Sequence, residues 1–154
     1  MFERFAHAAR TAVEDARYEA ERRGDRRIGS DHLLLALLQD DELAQLVGVD
    51  AAAAHDAADQ LDRAALAAIG LTLGEFRPAG RAVLGRHAPL MTTGGKTVIQ
   101  QALAKAAAEK ARTITARHLL LALLDRREPD PAAILLAALR IDQPALRARL
   151  AATA

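Results

Sequence analysis

The sequence contains no cysteine and no tryptophan, and only 3% of its residues are aromatic. Without cysteine, the chain has no disulfide, no thiolate nucleophile and no cysteine-ligated zinc site. With so few aromatic residues, its core must be built from Leu, Ala, Ile and Val. Because Ala and Leu favour helices, whereas strands prefer β-branched and aromatic residues, the composition predicts an all-α fold.

The sequence also lacks an excess of charge of either sign. Its 21 Lys and Arg residues face 20 Asp and Glu residues, which gives a formal charge of +1. A charge this small disfavours nucleic-acid binding, which requires a strong positive field. The N-terminus has no basic stretch followed by an apolar one, and no apolar run is long enough to cross a bilayer. We therefore expect a soluble, cytoplasmic protein with neither nucleic acid nor membrane as a partner.

One segment of seven residues occurs twice in the chain. The letters HLLLALL occupy residues 32–38 and again residues 118–124, an offset of 86. The two copies align without a gap from 12–38 to 98–124. Further matches along this alignment are Ala16 with Ala102, Ala20 with Ala106, Arg26 with Arg112 and Ile28 with Ile114. The chain is therefore predicted to be a tandem duplication of one helical unit.

The spacing of apolar residues predicts the helices at the start of each copy. Phe2 and Phe5 begin an apolar stripe with intervals of three and four residues, which predicts a first helix that ends near Gly24. Ser30 is a candidate N-cap for the second helix, whose buried body is the repeated heptapeptide. The second copy is expected to close with a final helix that begins near Asp142.

Glycine and proline indicate where the copies are joined. Six of the nine glycines and two of the five prolines lie in residues 70–95, and such a segment is typical of a linker. We predict one unit over 1–154, with repeat one at about 1–69, a linker at about 70–94 that includes a helical turn near 75–84, and repeat two at about 95–152. Three segments each stop one helix and start another: 47–50, 69–72 and 139–142. The sequence does not show which of the first two corresponds to the third.

No residue pattern points to catalysis. The histidines lack metal-ligand spacing, and the equivalent positions of His32 and His118 favour a structural role at a helix start. Gly95-Lys96-Thr97 resembles the end of a phosphate-binding loop, but that motif requires a glycine where Leu90 stands. We therefore predict no enzyme activity, no cofactor and no metal. The cations near the end of the first helix are expected at the surface, where they complement the helix dipole: Arg22, Arg23, Arg26 and Arg27.

The start of the chain and the residues before each heptapeptide resemble a known family. The residues that carry the resemblance are Met1-Phe2-Glu3-Arg4-Phe5, Glu19-Ala20, Gly24 and Ile28-Gly29-Ser30-Asp31-His32-Leu33-Leu34. They are similar to the N-terminal domain of the Clp unfoldases of the ClpC and ClpA type, in which the signature Ile-Gly-Thr-Glu-His-Leu-Leu occurs once in each of two repeats. The resemblance covers nearly the whole chain. It implies eight helices in two pseudo-twofold four-helix repeats.

The resemblance also implies a function. In the full unfoldases this domain has no catalysis of its own; it docks substrates and adaptors and passes them to ATPase rings. Because this sequence contains no ATPase motif, it resembles a stand-alone member of the actinobacterial type. Such a chain is expected to be a non-catalytic peptide- or protein-binding module that captures substrates, adaptors or cyclic peptide antibiotics and so regulates proteolysis. The alternative is a regulatory or structural helical domain that binds the unfoldase or self-associates.

Two candidate sites follow from the resemblance. In ClpC-type members the acidic signature residue of each repeat recognises phosphorylated arginine. That residue is Asp31 in repeat one, whereas repeat two has Arg117, so at most one family-like site is expected. The second site is a groove between the first helix and the start of repeat two, where actinobacterial members bind cyclic peptides. Its matching residues are Phe2, Arg10, Val13 and Lys96, with Met91 in place of an aromatic residue; alternatively, Phe2 and Met91 simply close the core between the repeats.

Overall fold

Eight helices make up the regular structure of the part of the chain that can be described. The computed structural model describes residues 5–72 and 90–153. In chain order the helices are α1 His7–Arg23, α2 Ser30–Leu37, α3 Asp41–Val47, α4 Ala51–Ala68, α5 Thr93–Ala108, α6 Ala116–Leu124, α7 Pro131–Ala138 and α8 Gln143–Ala152. The first four form repeat one and the last four form repeat two. The predicted all-α fold with two four-helix repeats is confirmed.

The two heptapeptides lie at the centre of the molecule. Their side chains in α2 and α6 are almost all buried, as a continuous Leu and Ala sequence requires, and they belong to one core that joins both repeats. α1 packs on α2, and α5 packs on α6. The alanines that allow these helices to approach closely are all buried: Ala16, Ala20, Ala102 and Ala106. α2 also packs on α6 and α7, which brings the two repeats together.

The residue pairs that connect the two repeats include two short backbone bridges. In each bridge, a residue just before the first helix of one repeat pairs with a loop of the other repeat. Phe5 forms an isolated parallel bridge with Ile114, in the loop between α5 and α6. Met91 forms the same bridge with Ile28, in the loop between α1 and α2. Phe5 and Met91 are separated by the offset of the heptapeptides, so the two bridges are equivalent under the duplication. The backbone bridges thus connect the two repeats at two equivalent places.

The first helix begins later than its apolar stripe predicts. α1 starts at His7, and Phe5 lies before it because its backbone is engaged by the bridge to Ile114. The prediction that Phe5 belongs to the helix is therefore wrong. Phe2 lies outside the described residues, as do most of the predicted linker and its helical turn near 75–84.

The second helix starts at Ser30 itself, and its N-cap residue is Gly29. The expectation that Ser30 is the cap is therefore wrong. Its Oγ instead lies 2.5 Å from Oδ1 of Asp130 and accepts a hydrogen bond from the backbone N–H of Ala132 at 3.2 Å. These buried bonds connect the start of α2 to the start of α7. Ser30 thus joins the two repeats.

The structure also shows which helix stops correspond. α3 ends at Gly48 and α4 is capped by Asp50, whereas α7 is followed by Arg140 and α8 is capped by Asp142. Gly48 and Arg140 both adopt a left-handed backbone, with φ of 81° and 53°. The stop at 47–50 therefore corresponds to the one at 139–142. The predicted start of the last helix near Asp142 is confirmed.

Candidate functional site

We call the junction between α1 and α2, with Asp31, the repeat-one corner. One of its buried polar side chains is His32, which is 3% exposed. The backbone N–H of Gly29 donates to Nδ1 of His32 at 2.8 Å, so the ring proton must lie on Nε2, which donates to Oδ2 of Asp25 at 2.9 Å. This hydrogen bond lowers the pKa of Asp25. The predicted structural role of His32 is confirmed.

The carboxylate of Asp31 is held by an arginine of the same repeat. Arg23, the last residue of α1, places Nη1 2.7 Å from Oδ2 of Asp31 and Nη2 2.7 Å from Oδ1 of Asp62 on α4. The side chains of Arg23 and Asp31 are only 11% and 15% exposed. Burial opposes the charge of Arg23, but hydrogen bonds and charges of Asp62 and Asp31 outweigh it and raise the pKa of the guanidinium. The prediction that Arg23 is a surface cation is therefore wrong.

The same corner in repeat two contains the reversed ion pair. Under the offset of 86, Glu109 takes the position of Arg23 and Arg117 that of Asp31. Nη1 of Arg117 lies 2.9 Å from Oε2 of Glu109, and its Nε donates to the carbonyl of Leu150 at 2.7 Å. The charge reversal that the sequence shows at the signature is thus matched by its partner. Both repeats keep an ion pair, with opposite polarity.

Glu109 has a second role in repeat two. The N–H of Thr115 donates to Nδ1 of His118 at 2.9 Å, and Nε2 of His118 donates to Oε2 of Glu109 at 3.0 Å. One carboxylate therefore accepts from both Arg117 and His118, and these hydrogen bonds lower its pKa. In repeat one, the carboxylate that accepts from the histidine is that of Asp25. Repeat two has Ala111 at the equivalent position.

A second polar cluster, centred on Glu19, was not anticipated from the sequence. Glu19 is 8% exposed and lies 2.9 Å from Nε2 of His55 and 3.1 Å from Nε2 of Gln39. In repeat two, Lys105 takes the position of Glu19 and Asp125 that of Gln39, and the two form a salt bridge of 2.6 Å. The charge at the position of Glu19 is therefore reversed. The signal that could have found this cluster is the presence of Glu19 among the alanines of an apolar stripe.

The residues predicted to line a peptide groove lie in different environments. Arg10 and Lys96 are exposed on the first turns of α1 and α5, at equivalent positions of the two repeats. Met91 is half-buried in the bridge between the repeats. Val13 is only 8% exposed and belongs to the core. Phe2 lies outside the described residues, so the groove remains a proposal.

In each corner a guanidinium is paired with carboxylate groups of the same repeat. A guanidinium held between carboxylates is suited to binding charged groups with defined geometry. Across residues 5–72 and 90–153, no group of three His, Cys, Asp or Glu side chains is placed to hold a metal ion. No helix within the same ranges is long and apolar enough to span a membrane.

Comparison with known proteins finds a family that matches part of the chain and solved structures that share its fold. The model of the Clp repeat (R) N-terminal domain matches residues 4–70. The N-terminal domain of the caseinolytic protease associated chaperone ClpD from Arabidopsis thaliana shares the fold with a TM-score of 0.77 and 20% identity, covering 99% of each chain. A structure from work on a malarial protein secretion system gives a TM-score of 0.69 and 18% identity over 97% of this chain and 94% of that chain. No curated protein gives a significant sequence match. Residues 4–70 of this chain are therefore similar to the Clp repeat (R) N-terminal domain, and nearly the whole chain shares the fold of the ClpD N-terminal domain.

Proposed function

We propose that this protein is a non-catalytic docking domain that binds proteins or peptides. The observation that carries the proposal is the Clp N-terminal domain fold together with the family match over residues 4–70. In Clp unfoldases this domain docks substrates and adaptors. By the same role, this chain would capture such substrates or adaptors, or bind a Clp unfoldase itself.

The first candidate surface is the peptide groove at the starts of α1 and α5. Arg10 and Lys96 are exposed there at equivalent positions, and the duplication therefore supplies two cations in the same local setting. Met91, five residues before Lys96, offers an adaptable apolar side chain. Cations next to apolar surface suit a peptide whose carbonyl groups need donors, which includes a cyclic peptide.

The second candidate surface is the repeat-one corner. Asp31 has a carboxylate that pairs with the guanidinium of Arg23 at 2.7 Å, which supports a preference for guanidinium groups at this position. A protein arginine, with or without a phosphate, is the ligand class that this carboxylate suits. The corner of repeat two has Arg117 at that position and offers no carboxylate on α6.

A titration with three probes tests the proposal. The probes are a Clp adaptor protein, an arginine-phosphorylated protein and a cyclic peptide of the kind that binds ClpC. We expect saturable binding of at least one probe by the wild-type chain. Lys96→Ala reports on the groove and Asp31→Ala on the corner. Arg149→Ala on the exposed side of α8 is the matched loss of a positive charge, and Asp56→Ala on the exposed side of α4 is the matched loss of a negative charge. Absence of binding to all three probes would overturn the docking function.

A further inference from the structure

We infer that α3 and α8 together form a face through which two molecules of this chain associate. In the resulting dimer, the acidic start of α3 in one molecule lies against the basic side of α8 in the other. The face contains neither Asp31 nor Lys96, on which the proposed docking surfaces depend. Self-association and docking are therefore separate properties, and each can fail without the other.

The two repeats have opposite net charges. Residues 5–72 contain 13 acidic and 7 basic residues, which gives a net charge of −6. Residues 90–153 contain 5 acidic and 10 basic residues, which gives a net charge of +5. The small charge of the whole chain therefore results from two charged halves that nearly cancel. Opposite charges on two parts of one surface attract molecules of the same kind to each other.

Ion pairs inside the protein leave this separation of charge at the surface. Within residues 5–72, six exposed acidic residues form no ion pair, against three such basic residues. Within residues 90–153 the numbers are reversed, with six exposed basic residues that form no ion pair and two such acidic residues. The charges that remain available to a partner are therefore mainly negative on repeat one and mainly positive on repeat two.

The two kinds of charge lie next to each other where α3 packs on α8. Asp40 caps α3, Asp41 and Glu42 form its first turn, and all three side chains are exposed. Arg149 lies on the exposed side of α8, and the exposed Arg140 precedes that helix. Among the described residues no ion pair joins the two groups, although their helices are in contact. The face therefore presents unpaired charges of both signs.

The helix dipole does not account for these charges. It favours acidic residues at the start of any helix and basic residues at the end. Counted from the caps Asp40 and Asp130, however, α7 begins with Pro131-Ala132 where α3 has Asp41-Glu42. Counted in the same way along α4, the position of Arg149 is occupied by Ala57. The equivalent helices thus form without these charges.

Arg140 carries its charge on a strained backbone. Its φ of 53° is left-handed, and the equivalent turn of repeat one has Gly48 with φ of 81°. A side chain with a Cβ disfavours this conformation, so glycine would suit the turn better. The guanidinium also forms no ion pair with any residue in 5–72 or 90–153. An unpaired cation at a strained position indicates a partner outside the chain.

The arrangement of the charges selects a second molecule of this chain as that partner. A face with an acidic half beside a basic half is self-complementary under a twofold rotation, which places α3 of each molecule against α8 of the other. A partner that was only acidic or only basic would be attracted by one helix and repelled by the other. The charge pattern therefore favours a dimer over either of those partners.

Sedimentation equilibrium of the full chain tests the dimer. At about 0.01 M NaCl the mass should approach that of a dimer as protein concentration rises, and at about 1 M NaCl it should return to that of the monomer, because the Debye length falls from about 30 to 3 Å. Arg140→Glu/Arg149→Glu should remain monomeric, and so should Asp41→Lys/Glu42→Lys. All four substitutions in one chain should restore the dimer, because the face is again self-complementary and the net charge is that of the wild type. A wild-type chain that stays monomeric at low salt, or a fourfold variant that folds but stays monomeric, would overturn the inference.

Two further variants separate the face from net charge and from folding. Arg26→Glu/Arg63→Glu changes the net charge as much as Arg140→Glu/Arg149→Glu does, but at exposed positions of repeat one, and should leave the dimer intact. Arg140→Gly removes the strain together with the charge, so its melting temperature in high salt should rise by about 1–3 °C. Its dimer in low salt should dissociate about tenfold more readily, because the twofold axis removes the contact twice.

The opposite results contradict the dimer. They are loss of association in Arg26→Glu/Arg63→Glu, or unchanged association in Arg140→Gly. A monomeric wild-type chain that binds polyglutamate or polylysine through this face would assign the face to a different partner and would also overturn the dimer. Titration of the three docking probes into Arg140→Glu/Arg149→Glu reports separately on the docking function.

Discussion

The backbone N–H of Gly29 donates to Nδ1 of His32 at 2.8 Å, and Nε2 of the same ring donates to Asp25 at 2.9 Å. Thr115 and His118 repeat the relationship in the second copy at 2.9 Å. Both rings are almost fully buried, so each replaces water as the partner of a backbone group at a helix start. The two histidines therefore fasten the loop before each heptapeptide to the helix that contains it.

Replacement of His32 by leucine should destabilise the fold. His32→Leu keeps the volume of the side chain but removes the acceptor for Gly29 and the donor to Asp25. A buried N–H left without a partner predicts a loss of about 2–3 kcal/mol in the free energy of unfolding, measured with urea. His7→Leu, at the exposed start of α1, is the control and should change stability by less than about 0.5 kcal/mol. Equal losses in both variants would show that the buried network has no special role.

Double-mutant cycles should separate the two ion pairs. We expect the coupling energy between Arg23 and Asp31 to be larger, about 1–3 kcal/mol, because both side chains are largely buried. For Arg117 and Glu109 we expect less than about 1 kcal/mol, because Glu109 is 40% exposed and screened by water. The cycles use alanine variants and urea unfolding at neutral pH. A larger coupling in repeat two would contradict this ordering.

The sequence predicted the helices more reliably than the contacts between them. Duplicated Leu, Ala and His positions indicate burial directly, because a residue kept in both copies at helical spacing marks the inner face. The partner of Arg23 could not be predicted, since Asp62 lies 39 residues away and is brought close only by the packing of α4. Likewise Ser30 meets Asp130 across 100 residues. Local spacing reveals caps and stripes, whereas these pairs depend on the assembled fold.

Acid should destabilise the protein through the two corners. Hydrogen bonds from His32 lower the pKa of Asp25, and those from Arg117 and His118 lower the pKa of Glu109. A carboxyl group with a lowered pKa in the folded state binds protons more readily when unfolded, so its stabilisation is present above the ordinary carboxyl range and is lost as pH falls through the folded value. The urea midpoint should therefore fall below a pH of about 4. Asp25→Asn should lower the urea midpoint at neutral pH. The midpoint of this variant should also decrease less than that of the wild-type chain as the pH is lowered.

Asp15 should have the opposite effect. Burial, followed by the charges of Glu14 and Glu19, raises its pKa, so its ionised form opposes folding at neutral pH. The stabilisation that this raised pKa provides is present at low pH and is lost as pH rises through the folded value. Asp15→Gln should increase the urea midpoint at pH 7 and give no gain near pH 3. Repeat two has Gln101 at this position.

Asp56→Asn is the control for the Asp15 variant. Asp56 lies on the exposed side of α4, so neutralising it removes one negative charge without relieving burial. Its urea midpoint should change little at either pH. An equal gain from both substitutions would show that overall charge, and not the local setting of Asp15, limits stability.

The first turn of α5 should tolerate alanine at Gly94 better than at Gly95. A Cβ at Gly95 would lie 2.7 Å from the carbonyl oxygen of Ile28, which is fixed because it accepts the N–H of Thr92 at 2.9 Å in the bridge between the repeats. A Cβ at Gly94 would lie 2.7 Å from Oδ2 of Asp130, a side-chain oxygen that can shift only at the expense of its 2.9 Å hydrogen bond from Arg126. Alanine also favours a helix over glycine by about 1 kcal/mol, which offsets part of either cost. We expect Gly95→Ala to lower the free energy of unfolding by roughly 2–3 kcal/mol and Gly94→Ala by less than half as much, measured with urea. Faster amide exchange at Thr92 in Gly95→Ala alone would locate the damage in the bridge, and an unchanged rate there would contradict the mechanism.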